Sequence, residues 1–225
     1  MAFEIQFPDA DQAEDDGLVA IGGNLSVDFL LAAYSQGLFP WFNTGEPILW
    51  WSPNPRMLLY PKEFKCSKSL QQIINRNKFK IKIDENFEEV IQKCASVKRE
   101  KQTGTWISKE IIEAYVKLHN EGYAHSFETY LDGKLAGGLY GISLGKAFFG
   151  ESMFYHVKNA SKVALYFLTV LMLKWDYHFI DVQQSTQHLR SMGAKNVDRR
   201  EFLELLKKAL KFPTKKEKWK FSFNK

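Results

Sequence analysis

The chain has 225 residues, 45% hydrophobic and 25% charged, which suits one large globular domain or two modest ones. Its two cysteines, Cys66 and Cys94, exclude a disulfide framework, and neither they nor the five histidines show metal-ligand spacing, so no metal and no cofactor are expected. Net charge is +5 but uneven: residues 1–55 carry eight acids and no Lys or Arg, while the other 170 carry 18 acids against 31 bases, a net of +13.

That asymmetry divides the chain into a small acidic part, 1–55, and a basic part, 56–225. The basic part suits a polyanionic partner, and charge alone equally admits a solvated lysine-rich surface. Reduced cysteines point to the cytoplasm. The acidic start lacks the features of a signal peptide, and the longest apolar run, Val163–Leu173, is too short for a bilayer, so no membrane partner is expected.

In chain order, Ser26 is placed to cap a helix over 27–36, closed by Gly37. The stretch "FPWFNTGEPILWWSPNPR" (39–56) crowds aromatics among prolines, a pattern that predicts neither a regular helix nor a regular strand. Its end, "SPNPR", reads as a domain boundary. A strand is predicted over 56–60, a helix over 67–78 and a strand over 79–84. A further helix runs from Ser108 to Glu121, stopped by Gly122. Three strands follow, turning at Asp132-Gly133 and at Gly145. Asn159 or Ser161 would cap an apolar helix over 162–175. Strand "HFIDVQQ", a short helix "STQHLRSMG", strand "AKNVD" and an amphipathic helix over 199–210 complete an α+β order: a mainly antiparallel, mixed sheet flanked by helices.

Three places invite chemistry. In a strand, Asp181 and Gln183 share one face, where carboxylate and carboxamide together can orient an attacking amine; by pattern alone a solvated strand end is the commoner explanation. Glu151 sits in an apolar strand, costly unless paired or functional, with Met153 on its face. "GISLG" (141–145) matches a nucleophile-elbow pattern, but a strand follows where that motif needs a helix, so it reads as a hairpin connection. "RSMG" (190–193) begins like an acetyl-CoA loop, yet Lys195 occupies a position that must be small. The rigid aromatics of 39–51 suit base stacking or the wall of an apolar pocket, although packing at a domain interface is the commoner use of such residues, and both can hold at once.

The strings "GGNLSVDFLLAAYSQGLFPWF", "PILWWSPNPR", "GTWIS", "GGLYG", "FFGESMF", "NASK" and "IDVQ", all in order, closely resemble the leucyl/phenylalanyl-tRNA–protein transferases over roughly Gly17 to Leu210. The resemblance implies a small N-terminal domain and a C-terminal domain like the GNAT acyltransferases. It implies transfer of Leu or Phe from aminoacyl-tRNA to the α-amine of an N-terminal Arg or Lys, which tags the acceptor for degradation in the bacterial cytoplasm; a monomer is expected. By the same resemblance, Asp181 and Gln183 fall at the reaction centre with Glu151 beside them. Leu139, Phe148, Met153, Leu165, Leu168 and Ile180 would line the aminoacyl pocket. Trp106, with Trp41 and Phe39, would hold the terminal adenosine together with Thr186. Lys68 and Arg76 would meet the tRNA backbone. The sequence departs from the family pattern at Leu168, where an aromatic is familiar, at Thr186, where Asn is, and at Gln72 and Asn75, which replace bases.

Overall fold

Ser26, Ser67, Ser108, Thr186 and Asp198 each accept a hydrogen bond from a main-chain amide in the first turn of the helix that follows. These caps satisfy donors that a helix cannot pair internally and fix where each helix begins. In the computed structural model, which describes residues 5–13, 16–97, 105–221 and 223, they open helices α1 (Val27–Ser35), α2 (Lys68–Asn75), α4 (Lys109–Asn120), α6 (Gln187–Ser191) and α7 (Arg199–Ala209). Helix α5 (Ala160–Lys174) starts differently. Asn159 precedes it in a left-handed conformation, φ +73°, with no side-chain cap, and Ser161 lies buried inside the first turn.

Helix α3 (Phe87–Ser96) was not anticipated, although Phe87, Val90, Ile91 and Cys94 form one buried stripe behind acidic residues Glu88 and Glu89. The aromatic-proline stretch also departs from expectation. It contributes β2 (Phe39–Pro40) and β3 (Leu49–Trp51), which pair with each other and with β1 (Leu18–Ile21) in a three-stranded antiparallel sheet. Pro40 is tolerated there because β2 is short and lies at the edge of the sheet.

The main sheet has seven strands, ordered β10 (Lys195–Val197), β4 (Arg56–Leu59), β9 (Phe179–Asp181), β8 (Ala147–Tyr155), β7 (Lys134–Leu144), β6 (Ala124–Leu131), β5 (Lys80–Ile83). Every neighbouring pair is antiparallel except β8 and β9, which run parallel. The fold is α+β, a mixed, mostly antiparallel sheet flanked by helices. Side-chain alternation feeds two cores. On one face Phe149, Phe179 and Leu58 pack with α1, α3, α4 and α7 and with Trp50 of the small sheet. On the other, Phe148, Ile180 and Met57 pack against Leu165, Leu168 and Met172 of α5.

The C-terminal segment straps the second core from outside. Trp219 donates its amide to Asp84 Oδ2 at 2.7 Å and stacks on the His125 ring at a centroid distance of 3.6 Å. The strap passes so close to Gly122, just past the C-cap of α4, that a Cβ there would strike the Lys216 carbonyl, which is why that position must be glycine.

Two irregularities place the functional cavity. Pairing of β8 with β9 stops at Phe149–Asp181, while β8 continues to Tyr155, so the strands splay. Just there the β7–β8 register shifts: Tyr140 pairs with Ser152 and Gly141 with Gly150, leaving Glu151 as the extra residue of a β-bulge. Gly141 makes the bulge possible, since a Cβ would collide with the Phe149 carbonyl and the Phe148 ring.

Candidate active site

A cavity of about 410 Å³ opens in the splay. Its walls include four consecutive residues of β8, Gly150 to Met153, which a regular strand cannot aim at one space. The bulge does so by turning Glu151 inward. Leu139, Leu165, Leu168, Met153 and Ile180 give the cavity an apolar side, and Phe39, Trp41 and Trp106 an aromatic one. Thr186, which caps α6, and His188 lie at the same opening. Burial, aided by the charge of Lys162, holds the His188 imidazole below its usual pKa.

Two residues expected at the site are elsewhere. Phe148 is fully buried and does not line the cavity; it lies one layer below, against Trp219. Asp181 is also fully buried and does not line it. Arg56 Nε donates to Asp181 Oδ1 at 2.9 Å and Nη2 to Oδ2 at 2.7 Å. The expected strand through Gln184 ends at Asp181, and Gln183 turns into the left-handed region, φ +54°. Strand alternation therefore does not relate Asp181 to Gln183. Their link is a hydrogen bond from the Gln183 amide to Asp181 Oδ1, 2.9 Å. The Gln183 side chain does line the cavity. In the orientation that satisfies its hydrogen bonds, its amide nitrogen donates to the carbonyls of Gly150 (2.9 Å) and Val182 (3.2 Å), bridging the splay and leaving Oε1 as an acceptor.

Glu151 faces the cavity from a hydroxyl network. Tyr115 Oη donates to Glu151 Oε2 at 3.3 Å and is 2.5 Å from Tyr34 Oη, while Oε1 is buried with no partner among the described residues. Burial pushes the Glu151 carboxyl up to about 8; the Tyr34 and Tyr115 hydroxyls pull against that shift and the charge of Asp181 adds to it. At neutral pH the group is mostly a neutral acid. Burial also raises both phenols, so they remain donors.

Arg56, Tyr34 and Tyr115 were not picked out from the sequence. The lone arginine ending "SPNPR" was the available signal for the first; the tyrosines carry none, because helix positions α1 and α4 read simply as core. Lys68 and Arg76 lie exposed on α2 and at its end, and neither lines the cavity. Gly104 of "GTWIS" lies outside the described residues. Ser143 is buried in β7 and bonded to Tyr177 Oη at 2.7 Å, which removes it as a nucleophile. Among the described residues, no cluster of His, Cys, Asp or Glu is placed to hold a metal ion, and no helix is long and apolar enough to cross a membrane.

The site is thus an apolar pocket in a splayed mixed sheet, rimmed by a carboxamide and a protonated carboxyl. The chain matches two family models, leucyl/phenylalanyl-tRNA protein transferase over residues 58–207 and the N-terminal domain of the same transferase over 23–54. It is 52% identical over 219 residues to the leucyl/phenylalanyl-tRNA–protein transferase of Nitrosomonas eutropha, covering 96% of this chain and 93% of that one. The relative from Legionella pneumophila is 52% identical over 213 residues, 95% of each chain. The chain belongs to the leucyl/phenylalanyl-tRNA–protein transferase family. Among solved structures, an aminoglycoside acetyltransferase from an uncultured soil sample matches at a TM-score of 0.38 and 13% identity, over 66% of this chain and 97% of that one. The protein is thus a tRNA-dependent aminoacyltransferase whose substrates are aminoacyl-tRNA and protein.

Proposed function

We propose that the enzyme, a cytoplasmic monomer, moves leucine, phenylalanine and also methionine from tRNA to the α-amine of proteins beginning with Arg or Lys, marking them for degradation. The observation that carries this reading is the juxtaposition of a side-chain-sized apolar pocket with the Gln183 carboxamide and the Glu151 carboxyl at its rim.

The amino acid's side chain enters among Leu139, Leu165, Leu168 and Ile180. Its adenosine stacks on Trp106, with Trp41, Phe39 and Thr186 around it, and Lys68 and Arg76 on α2 meet the tRNA backbone. Because one methylene is worth only about 1–3 kcal/mol, an apolar pocket accepts Leu, Phe and Met alike and rejects β-branched Ile and Val by shape.

The ester is already activated and a free α-amine has a pKa near 7.7–8.0, so roughly a tenth or more is neutral at pH 7. Neither a strong base nor a covalent intermediate is required. Positioning supplies the rate, at its upper limit about 7–11 kcal/mol of the barrier. Gln183 Oε1 accepts a hydrogen bond from the amine and aims its lone pair at the ester carbon, Asp181 acts through Gln183, and Glu151 meets the acceptor's cation. Incubating the protein with radiolabelled Leu-tRNA and an Arg-initiated peptide tests the reading: labelled peptide is expected, and RNA binding without labelling would reject it.

A further inference from the structure

We propose that Arg56 is a positioning residue for the transfer reaction, acting through Asp181 to hold Gln183 in the turn that presents its carboxamide to the cavity. The inference rests on the role given to Gln183 above and names what holds that residue in place.

Arg56 is the first residue of β4, fully buried, with its guanidinium 4.9 Å from the Phe39 ring centroid and 4.4 Å from that of Phe202. It thus joins the small sheet, the main sheet and α7 at one point. Its fork meets both oxygens of Asp181, and Asp181 Oδ1 in addition takes the Gln183 amide hydrogen. The next residue of β4 completes the clamp: Met57 N donates to Gln183 O at 3.1 Å, and Val182 N donates to Met57 O at 3.0 Å. Gln183 is not glycine, so its left-handed backbone persists only where the surroundings over-determine it. Here three hydrogen bonds from β4 and Asp181 do so.

A fully buried ion pair is a poor way to add stability, because desolvation offsets most of the attraction, and apolar residues of similar size serve as well. What apolar residues cannot do is give the Gln183 amide a fixed acceptor. Asp181, with both oxygens engaged and no surface on the cavity, is likewise out of reach of the amine's proton. The pair therefore sets geometry.

Arg56→Lys keeps the charge and loses the fork. In the full-length protein it should speed hydrogen exchange of the Gln183 amide by about a hundredfold, the loss expected for a charged hydrogen bond. It should lower kcat for Leu transfer at least tenfold while KM for Leu-tRNA stays within about twofold, a split that general loosening of the pocket would not produce. Asp181→Asn, the second variant should Arg56→Lys not fold, should lower kcat about tenfold and leave the pH dependence of the rate where wild type has it. Unchanged exchange at Gln183, or unchanged kcat, in Arg56→Lys would overturn the inference. So would a pH-rate limb that vanishes in Asp181→Asn with a loss of a hundredfold or more, the mark of a general base. If wild type transfers no label at all, the parent reading falls while the exchange measurement still decides whether the clamp exists.

Discussion

An acceptor whose cation pairs with Glu151 must first displace that residue's proton. Burial holds the Glu151 carboxyl at about 8, so about nine-tenths of it is protonated in the free enzyme at pH 7. An arginine-initiated peptide lacking the α-amine isolates the effect, because a guanidinium stays charged across the whole range. Its binding at pH 7 should release about 0.9 proton, read by calorimetry in two buffers of different ionisation enthalpy. The same linkage governs affinity. Ionised Glu151 rises from roughly a tenth at pH 7 to roughly nine-tenths at pH 9, so binding should tighten about tenfold, or about 1.4 kcal/mol. Glu151→Gln should release no proton and bind with flat pH dependence. The sign of the folding contribution is opposite in sense: a carboxyl raised on folding stabilises below its unfolded value near 4.5, and that contribution is lost as pH rises through about 8. Wild-type protein that releases no proton, with affinity independent of pH, would show that Glu151 does not meet the acceptor's cation.

Three further outcomes are expected. Leu165→Trp should fill the apolar side of the cavity and exclude Phe while sparing some Leu transfer; equal Phe transfer by variant and wild type in the labelling assay would remove Leu165 from the pocket. Trp106→Ala should raise KM for aminoacyl-tRNA by about 1–3 kcal/mol of lost stacking, whereas Lys68→Ala should reduce the salt slope of tRNA binding by about one; a steady-state titration at several salt concentrations separates them. Glu128, fully buried on β6, is pushed up to about 7 by burial, so its stabilising share is complete below pH 4.5 and is lost as pH rises through 7. Glu128→Gln should flatten that decline by up to about 3 kcal/mol in urea unfolding between pH 4.5 and 8, and parallel curves for the two proteins would contradict it.

Where local chemistry decides structure, the sequence is informative. The caps at Ser26 and Ser108, the Asp132-Gly133 turn and the stops near Gly37 and Gly122 all lie where residue type alone predicts them. Helix α3 carries legible signals too: its stripe is regular and its first turn acidic. The short strands β1 to β3 were not legible, since two- to four-residue strands give too few positions for a period, and proline argues against them. The apolar floor of the cavity follows from helix α5 and strand periodicity. The network behind the rim does not. Nothing in residues 34 or 115 taken singly distinguishes a core side chain from one that reaches Glu151, and the lone arginine at 56 does not name its partner, because the contacts span more than 35 residues of chain.

The site exists because periodicity fails twice at the same level of the sheet. A regular β8 would send Glu151 and Ser152 to opposite faces, and a regular β9 would continue beside it and close the cavity. The bulge at Glu151 breaks the first rule and the left-handed turn at Gln183 breaks the second. Each break is held by a different device: Gly141 leaves room for the bulge, and the Arg56–Asp181 pair with Met57 fixes the turn. The two breaks then meet, since the Gln183 carboxamide donates to the carbonyl of Gly150, the residue before the bulge. Relaxing either would therefore misplace both the carboxyl and the carboxamide. Misplacement by an ångström is enough to forfeit the orders of magnitude that positioning supplies, so an enzyme relying on orientation has reason to tie its two rim groups to one another.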